Sequence, residues 1–170
     1  MDYNIWLIGA SQGLLLSIFL LLKKDRKINL PITIFVLLTS VELLFQYIYD
    51  ARIIFKIPHL LYLSEPFSML SGVLIFMYVR NILSNHSKYK LTDILFFIPF
   101  VTYTFYYLPS YTQTSTDKIY DIVAFYNAGI SWSENIYEWI AEIIFTIPFL
   151  IASIILIKKH RAKIKNEYSN

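Results

Sequence analysis

The sequence predicts an all-α fold: an integral membrane helical bundle of five transmembrane helices. Three observations carry this. Five apolar stretches, 5–22, 30–49, 59–79, 92–109 and 136–157, are each close to the roughly 20 residues that cross a bilayer as a helix. The composition is 56% hydrophobic and only 16% charged over 170 residues. The basic residues are also distributed unevenly between the loops. If successive loops alternate sides, one side holds Lys23, Lys24, Arg26, Lys27, Arg80, Lys88, Lys90, Lys158, Lys159, Arg161, Lys163 and Lys165. The other side holds Arg52, Lys56 and Lys118, so twelve of the 15 basic residues share a side. Cytoplasmic loops carry the excess of Lys and Arg. The expected topology is therefore N-terminus outside and C-terminus cytoplasmic, in a multi-pass protein of the inner (plasma) membrane. Residues 1–170 read as one membrane domain with the lipid bilayer as its first partner.

The first span is 5–22, uncharged throughout. The residues before it carry no base, and the positive cluster follows the apolar run, the reverse of a signal peptide. Gly9 and Gly13 are four apart and share a helix face that lets another backbone approach. That face suits either packing within the chain or a homodimer seam. After the short loop Lys23–Lys27, Asn29 has the character of an N-cap and Pro31 of a first-turn residue. The second span, 30–49, carries Glu42.

The third span, 59–79, contains Glu65-Pro66. A residue before proline avoids the α region. A helix starting only at Pro66 would be roughly 21 Å long, too short to cross alone. A kinked helix is therefore expected, with Ser68 and Gly72 as a second pair of small residues. The fourth span, 92–109, has Pro99 inside it. Residues 110–117 are rich in Ser and Thr and read as a loop. Ile119, Ile122, Val123 and Tyr126 then fall at i, i+3, i+4 and i+7. This predicts a short amphipathic helix over about 119–130, lying on the outer surface or capping the bundle. The fifth span, 136–157, carries Glu138, Glu142 and Pro148, and a basic tail, 158–170, follows.

Aromatic residues support the same frame. Trp6, Trp132 and Trp139 fall at outer boundaries, with Tyr47, Tyr49, Tyr106, Tyr107, Tyr111 and Tyr137 on the same side. Such rings favour the interface.

Four carboxylates lie inside spans: Glu42, Glu65, Glu138 and Glu142. Charges there are costly and face the bundle interior or water. At 1.5 Å per residue Glu42 lies about 18 Å from the inner end of its span, and Glu65 and Glu142 about 9 Å from the outer ends of theirs. Glu138 is shallower, about 3 Å deep. All fall in the outer half. Glu42, Glu65 and Glu142 are the candidate ligand-binding residues of an acidic cavity open to the outside, suited to a cationic or hydrogen-bonding ligand. The competing reading is structural: the acids pair with Arg52 and Lys56 or reach interfacial water.

Enzyme motifs are missing. No H-E-x-x-H, nucleophile elbow or glycine-rich phosphate loop is present. His59, His86 and His160 lie in separate regions, so no metal site is expected. The absence of cysteine excludes disulfides and thiolate chemistry. The sequence thus predicts no enzyme, no metal and no cofactor. The tail suits a topology anchor, attraction to anionic lipid, or a helical extension of the fifth span.

The segment Ile57-Pro58-His59-Leu60-Leu61-Tyr62-Leu63-Ser64-Glu65-Pro66-Phe67, with Leu70, Gly72, Leu74, Phe76, Tyr78, Val79 and Arg80 after it, has a family character. So do Lys90-Leu91-Thr92-Asp93-Ile94-Leu95-Phe96-Phe97-Ile98-Pro99-Phe100, Ile8–Gly13 and His160–Ser169. Together they resemble the N-terminal membrane domain of AraC-type transcription regulators of Bacteroidota, over nearly the whole chain. One departure is Val73, where the family often has proline after the glycine. In the family, further membrane helices and a cytoplasmic helix-turn-helix DNA-binding domain follow the corresponding point. The resemblance implies a sensor portion of a regulator, truncated or split, with no direct nucleic-acid contact by these residues. No binding residue is carried over. The expected function is signal input. An unknown outer-face ligand or protein would act near Glu42, Glu65, Glu142 and segment 119–130, shift the third and fifth helices at Pro66 and Pro148, and signal through the tail. The alternative is a stand-alone small membrane protein with a transport or assembly role.

Overall fold

A computed structural model describes residues 3–84, 89–128 and 132–168. His86, Lys88 and the last two residues of segment 119–130 lie outside them. The described residues form six α-helices and four 3-10 segments, with no strand among them. Five helical segments are long and apolar enough to cross a membrane: Asn4–Leu22, Arg26–Asp50, Pro58–Leu83, Leu91–Thr112 and Trp139–Asn166.

Helices α1 (Asn4–Leu22) and α2 (Arg26–Asp50) form a tight hairpin. The small residues of α1 make it close. A Cβ on Gly9 would meet Leu43 Cδ1 at 3.1 Å, and one on Gly13 would run into Ser40. The Gly9–Gly13 face is therefore taken up inside the chain, and the homodimer seam expected as its alternative is displaced by α2. Hydroxyls in these apolar helices bond back to their own backbones, as Thr33 does to the Asn29 carbonyl at 2.9 Å and Ser40 to Val36 at 2.6 Å. This spares buried polar groups the cost of lacking a partner.

The second span starts earlier than expected. It begins at Arg26, so Asn29 is no cap and Pro31 sits inside the helix. A proline there leaves the carbonyl four residues back without its N–H. That carbonyl is Lys27, and the Tyr89 hydroxyl donates to it at 2.6 Å. Tertiary structure supplies what the helix lost.

The third span is not a kinked helix. It is a series of 3-10 turns, Pro58–Leu60 and Glu65–Leu70, leading into a short α3, Ser71–Leu83. Two prolines remove backbone donors. Tyr62 adopts a left-handed conformation with φ 64°, which breaks any continuous helix. The fourth span differs too. A 3-10 stretch, Leu91–Phe97, precedes α4, Ile98–Thr112. Pro99 thus stands in the first turn of α4, where its missing N–H costs no bond. The expected loop at 110–117 shrinks to Gln113–Thr114, because α4 continues through Pro109 and α5 begins at Ser115. Helix α5 (Ser115–Ala128) buries Ile122, while Ile119 and Val123 are exposed. Helix α6 runs unbroken from Trp132 to Tyr168, so the described tail is a helical extension.

Helix α6 packs on α3. A Cβ on Gly72 would meet the Thr146 Cα and carbonyl oxygen, each at 3.0 Å, and Phe76 lies beside Phe149 at 5.9 Å. The two helices therefore run parallel. Phe96 completes an edge-on aromatic cluster with both rings. Elsewhere α6 leaves Ile143, Ile144, Ile151 and Ile154 exposed, as α1 does Leu15, Leu16, Phe19 and Leu22. Apolar exposure on this scale suits lipid better than water.

Hydrogen bonds sort the molecule into two ends. At one, Trp6 Nε1 donates to Asp50 at 2.8 Å and Ser115 meets His59 at 3.0 Å. At the other, Tyr89 meets Lys27, and Arg80 meets Asp93. The parallel course of α3 and α6 carries Lys158–Lys165 toward the Arg80 end. The described basic residues predicted to share a side thus gather at one end.

Candidate functional site

Glu42, Phe45, Gln46 and Tyr49 fall at i, i+3, i+4 and i+7, one face of α2. A full helix opposite would cover that face. Instead the chain opposite is the 3-10 region, and it leaves a half-open cleft of about 170 Å³. Its far wall is Ser64, Glu65 and Ser68.

The structure thus brings two of the three predicted acids, Glu42 and Glu65, to one cleft. Glu142 is exposed on α6 and does not line it, but its charge, like that of Glu65, acts on Glu42. Glu138 lies in α6 with its side chain outside the described residues. Glu42 has no hydrogen bond or ion pair among the described residues. The expected alternative of pairing with Arg52 and Lys56 is not what forms. The Arg52 guanidinium lies 5.3 Å over the Tyr126 ring, and Lys56 is exposed, with no ion pair among the described residues. A cation stacked on an aromatic face has no need of a carboxylate.

Behind the cleft stands a knot of tyrosines around Tyr62. A non-glycine residue in the left-handed region costs about 1–3 kcal/mol, and its surroundings must hold it there. Here they do. The Tyr62 N–H donates to the Tyr49 hydroxyl at 3.2 Å, and the Tyr111 hydroxyl donates to the Tyr62 carbonyl at 3.2 Å. The Tyr107 ring stacks on it at 5.3 Å. The Tyr126 hydroxyl of α5 donates to the Tyr49 carbonyl. Burial pushes the Tyr126 phenol up, opposed by Arg52 and aided by Asp50. Tyr49 therefore lines the cleft and holds the strained turn at once, and α5 is tied to both.

Sequence reasoning placed Tyr49 and Tyr111 in an interfacial belt and missed this knot. No sequence signal marks a tyrosine with positive φ. It also missed the pair at the basic end, where Arg80 Nη1 and Nη2 grip Asp93 Oδ1 and Oδ2 at 2.8 and 2.6 Å. The Lys90 N–H donates to the same carboxylate at 2.9 Å. An Arg and an Asp flanking one loop between two spans were the available signal. Lys118, counted with the loop charges, is buried, and its ammonium donates to the Tyr111 carbonyl at 3.3 Å. Among the described residues no group of three or more His, Asp or Glu could hold a metal ion.

No protein-family model, no curated protein and no solved structure matches this chain.

Proposed function

We propose that this chain is a membrane-embedded signal-input domain, the sensor portion of a transcription regulator of the AraC type. It spans the inner membrane five times, with its N-terminus outside and its C-terminus in the cytoplasm. The observation that carries this reading is the cleft of Glu42 and Glu65 beside a strained turn, at the end opposite a continuous basic helix. In this orientation the cleft faces outward. A ligand or protein domain there would press on Tyr49 and the 3-10 region, which leads directly into α3. Helix α3 is packed backbone to backbone on α6 at Gly72 and Thr146. The 37 residues of α6 span about 55 Å, longer than the ~30 Å hydrocarbon core, so it can carry a tilt past the membrane. The clustering of basic residues at one end supports the orientation.

The absence of cysteine makes site-directed labelling direct. Spin labels at Lys27→Cys and Lys159→Cys, in lipid nanodiscs, report the position of the α6 extension against the α1–α2 hairpin. Neutralising the acids with Glu65→Gln and Glu142→Gln together is expected to shift that distance distribution. An unchanged distribution would sink the sensor reading.

A transport role is the second reading, favoured by the lack of a hydrogen bond or ion pair at Glu42 among the described residues. Proton flux into liposomes that disappears with Glu42→Gln would replace the first reading with this one.

A further inference from the structure

We propose that the cleft binds a small primary ammonium compound that has no carboxylate of its own. This deepens the sensor reading and rests on the same site. Four observations select that chemistry. Glu42 offers a carboxylate that no described residue pairs, and Glu65 adds a second negative charge to the same wall. No cation among the described residues lines the cleft. Ser64 is only 7% exposed and lines the cleft, yet its hydroxyl has no partner among the described residues. That hydroxyl is open to the cleft and can bond a ligand there. Phe45 and Tyr49 close one side with tilted rings 6.5 Å apart, a surface for a short hydrocarbon chain and for a cation against a ring face.

A primary ammonium carries three N–H donors. The Glu42 carboxylate and the Ser64 hydroxyl are acceptors for them. A quaternary ammonium has no such donor and would leave Ser64 unsatisfied. A zwitterionic amino acid brings a carboxylate into the field of Glu42, Glu65 and Glu142. At about 170 Å³ the cleft lies below the roughly 300–1,000 Å³ of drug-sized sites, so the ligand is short.

The test is calorimetric titration of the whole chain in neutral-lipid nanodiscs. The probes are ethylammonium, tetramethylammonium, alanine and sodium, each as the chloride where charged. Ethylammonium is expected to bind saturably, and the other three at least about tenfold more weakly. Glu42→Gln should weaken ethylammonium about tenfold, and Ser64→Ala several-fold, with helical circular dichroism unchanged. If Glu42→Gln fails to fold, Ser64→Ala carries the test alone. Equal binding of tetramethylammonium or sodium, no binding of ethylammonium, or unaltered binding by the folded variants overturns the proposal. The spin-label pair separates the two readings. Ethylammonium that binds without moving α6, when neutralised acids also leave it unmoved, upholds the ligand class and removes the sensor. Neutralised acids that move α6 when ethylammonium does not bind do the reverse.

Discussion

The Tyr89 hydroxyl takes the place of the backbone N–H that Pro31 does not have. It bonds the Lys27 carbonyl at 2.6 Å, the acceptor an ordinary residue at position 31 would have used. The pair yields a double-mutant test. Tyr89→Phe should cost about 0.5–1 kcal/mol with Pro31 present, because the bond is solvent-exposed. In a Pro31→Ala background the helix supplies its own N–H, and the same change should cost close to nothing. Thermal melts of the four proteins in detergent measure the coupling.

Glycines of similar sequence setting should behave differently. Gly9→Ala meets only the flexible end of Leu43. The gain in helix propensity, about 1 kcal/mol, offsets that contact, so stability should change little. Gly72→Ala meets the backbone of Thr146, which cannot swing aside. It should destabilise by about 1–2 kcal/mol net and loosen α3 from α6. Melting temperatures give the first effect, and hydrogen exchange along α6 the second.

The Arg80–Asp93 pair is mostly buried, at 18% and 7% side-chain exposure. Removing one partner of such a pair leaves an uncompensated charge. Asp93→Asn should cost roughly 3 kcal/mol, at the low end of what buried pairs show. Arg80→Lys should recover little, because a lysine cannot reproduce the two-pronged contact. Denaturation in mixed micelles compares the three proteins.

Docking of α5 should weaken in alkali. The folded-state phenol of Tyr126 is raised, chiefly by burial. The folded protein therefore holds this proton more tightly than the unfolded chain. The contribution is complete below the ordinary tyrosine range and is lost as pH rises through the folded value. Tyr89 titrates in the same direction, so the informative quantity is the difference between the parent and Tyr126→Phe. Melting curves from neutral to strongly alkaline pH should converge for the two proteins at the alkaline end and be separated at neutrality by about 1 kcal/mol.

Membrane orientation can be read from single cysteines. In intact cells or spheroplasts, an impermeant maleimide is expected to label Tyr120→Cys and to reach Lys159→Cys only after lysis. The opposite pattern would invert the proposed topology.

The apolar stretches and their charged borders were legible because bilayer thickness sets a length and water sets the cost of charge. Both act on residues one at a time. The three candidate acids were legible for the same reason, since a carboxylate within an apolar run is conspicuous. Which of them share the cleft was not. Glu42 and Glu65 meet only because Tyr62 turns left-handed and the chain after Pro58 does not complete a helix.

The amino-acid sequence by itself determined that this chain is helical, which segments are apolar enough to cross a membrane, and where its bases and the acids within apolar runs stand. Tertiary structure alone decided that α2 could pass through Pro31, that the third span breaks into turns, and that Arg80 holds Asp93. The physical reason is common to all three. Each depends on a backbone or charged group finding its partner on a distant segment, and local propensity and hydropathy contain no term for that partner.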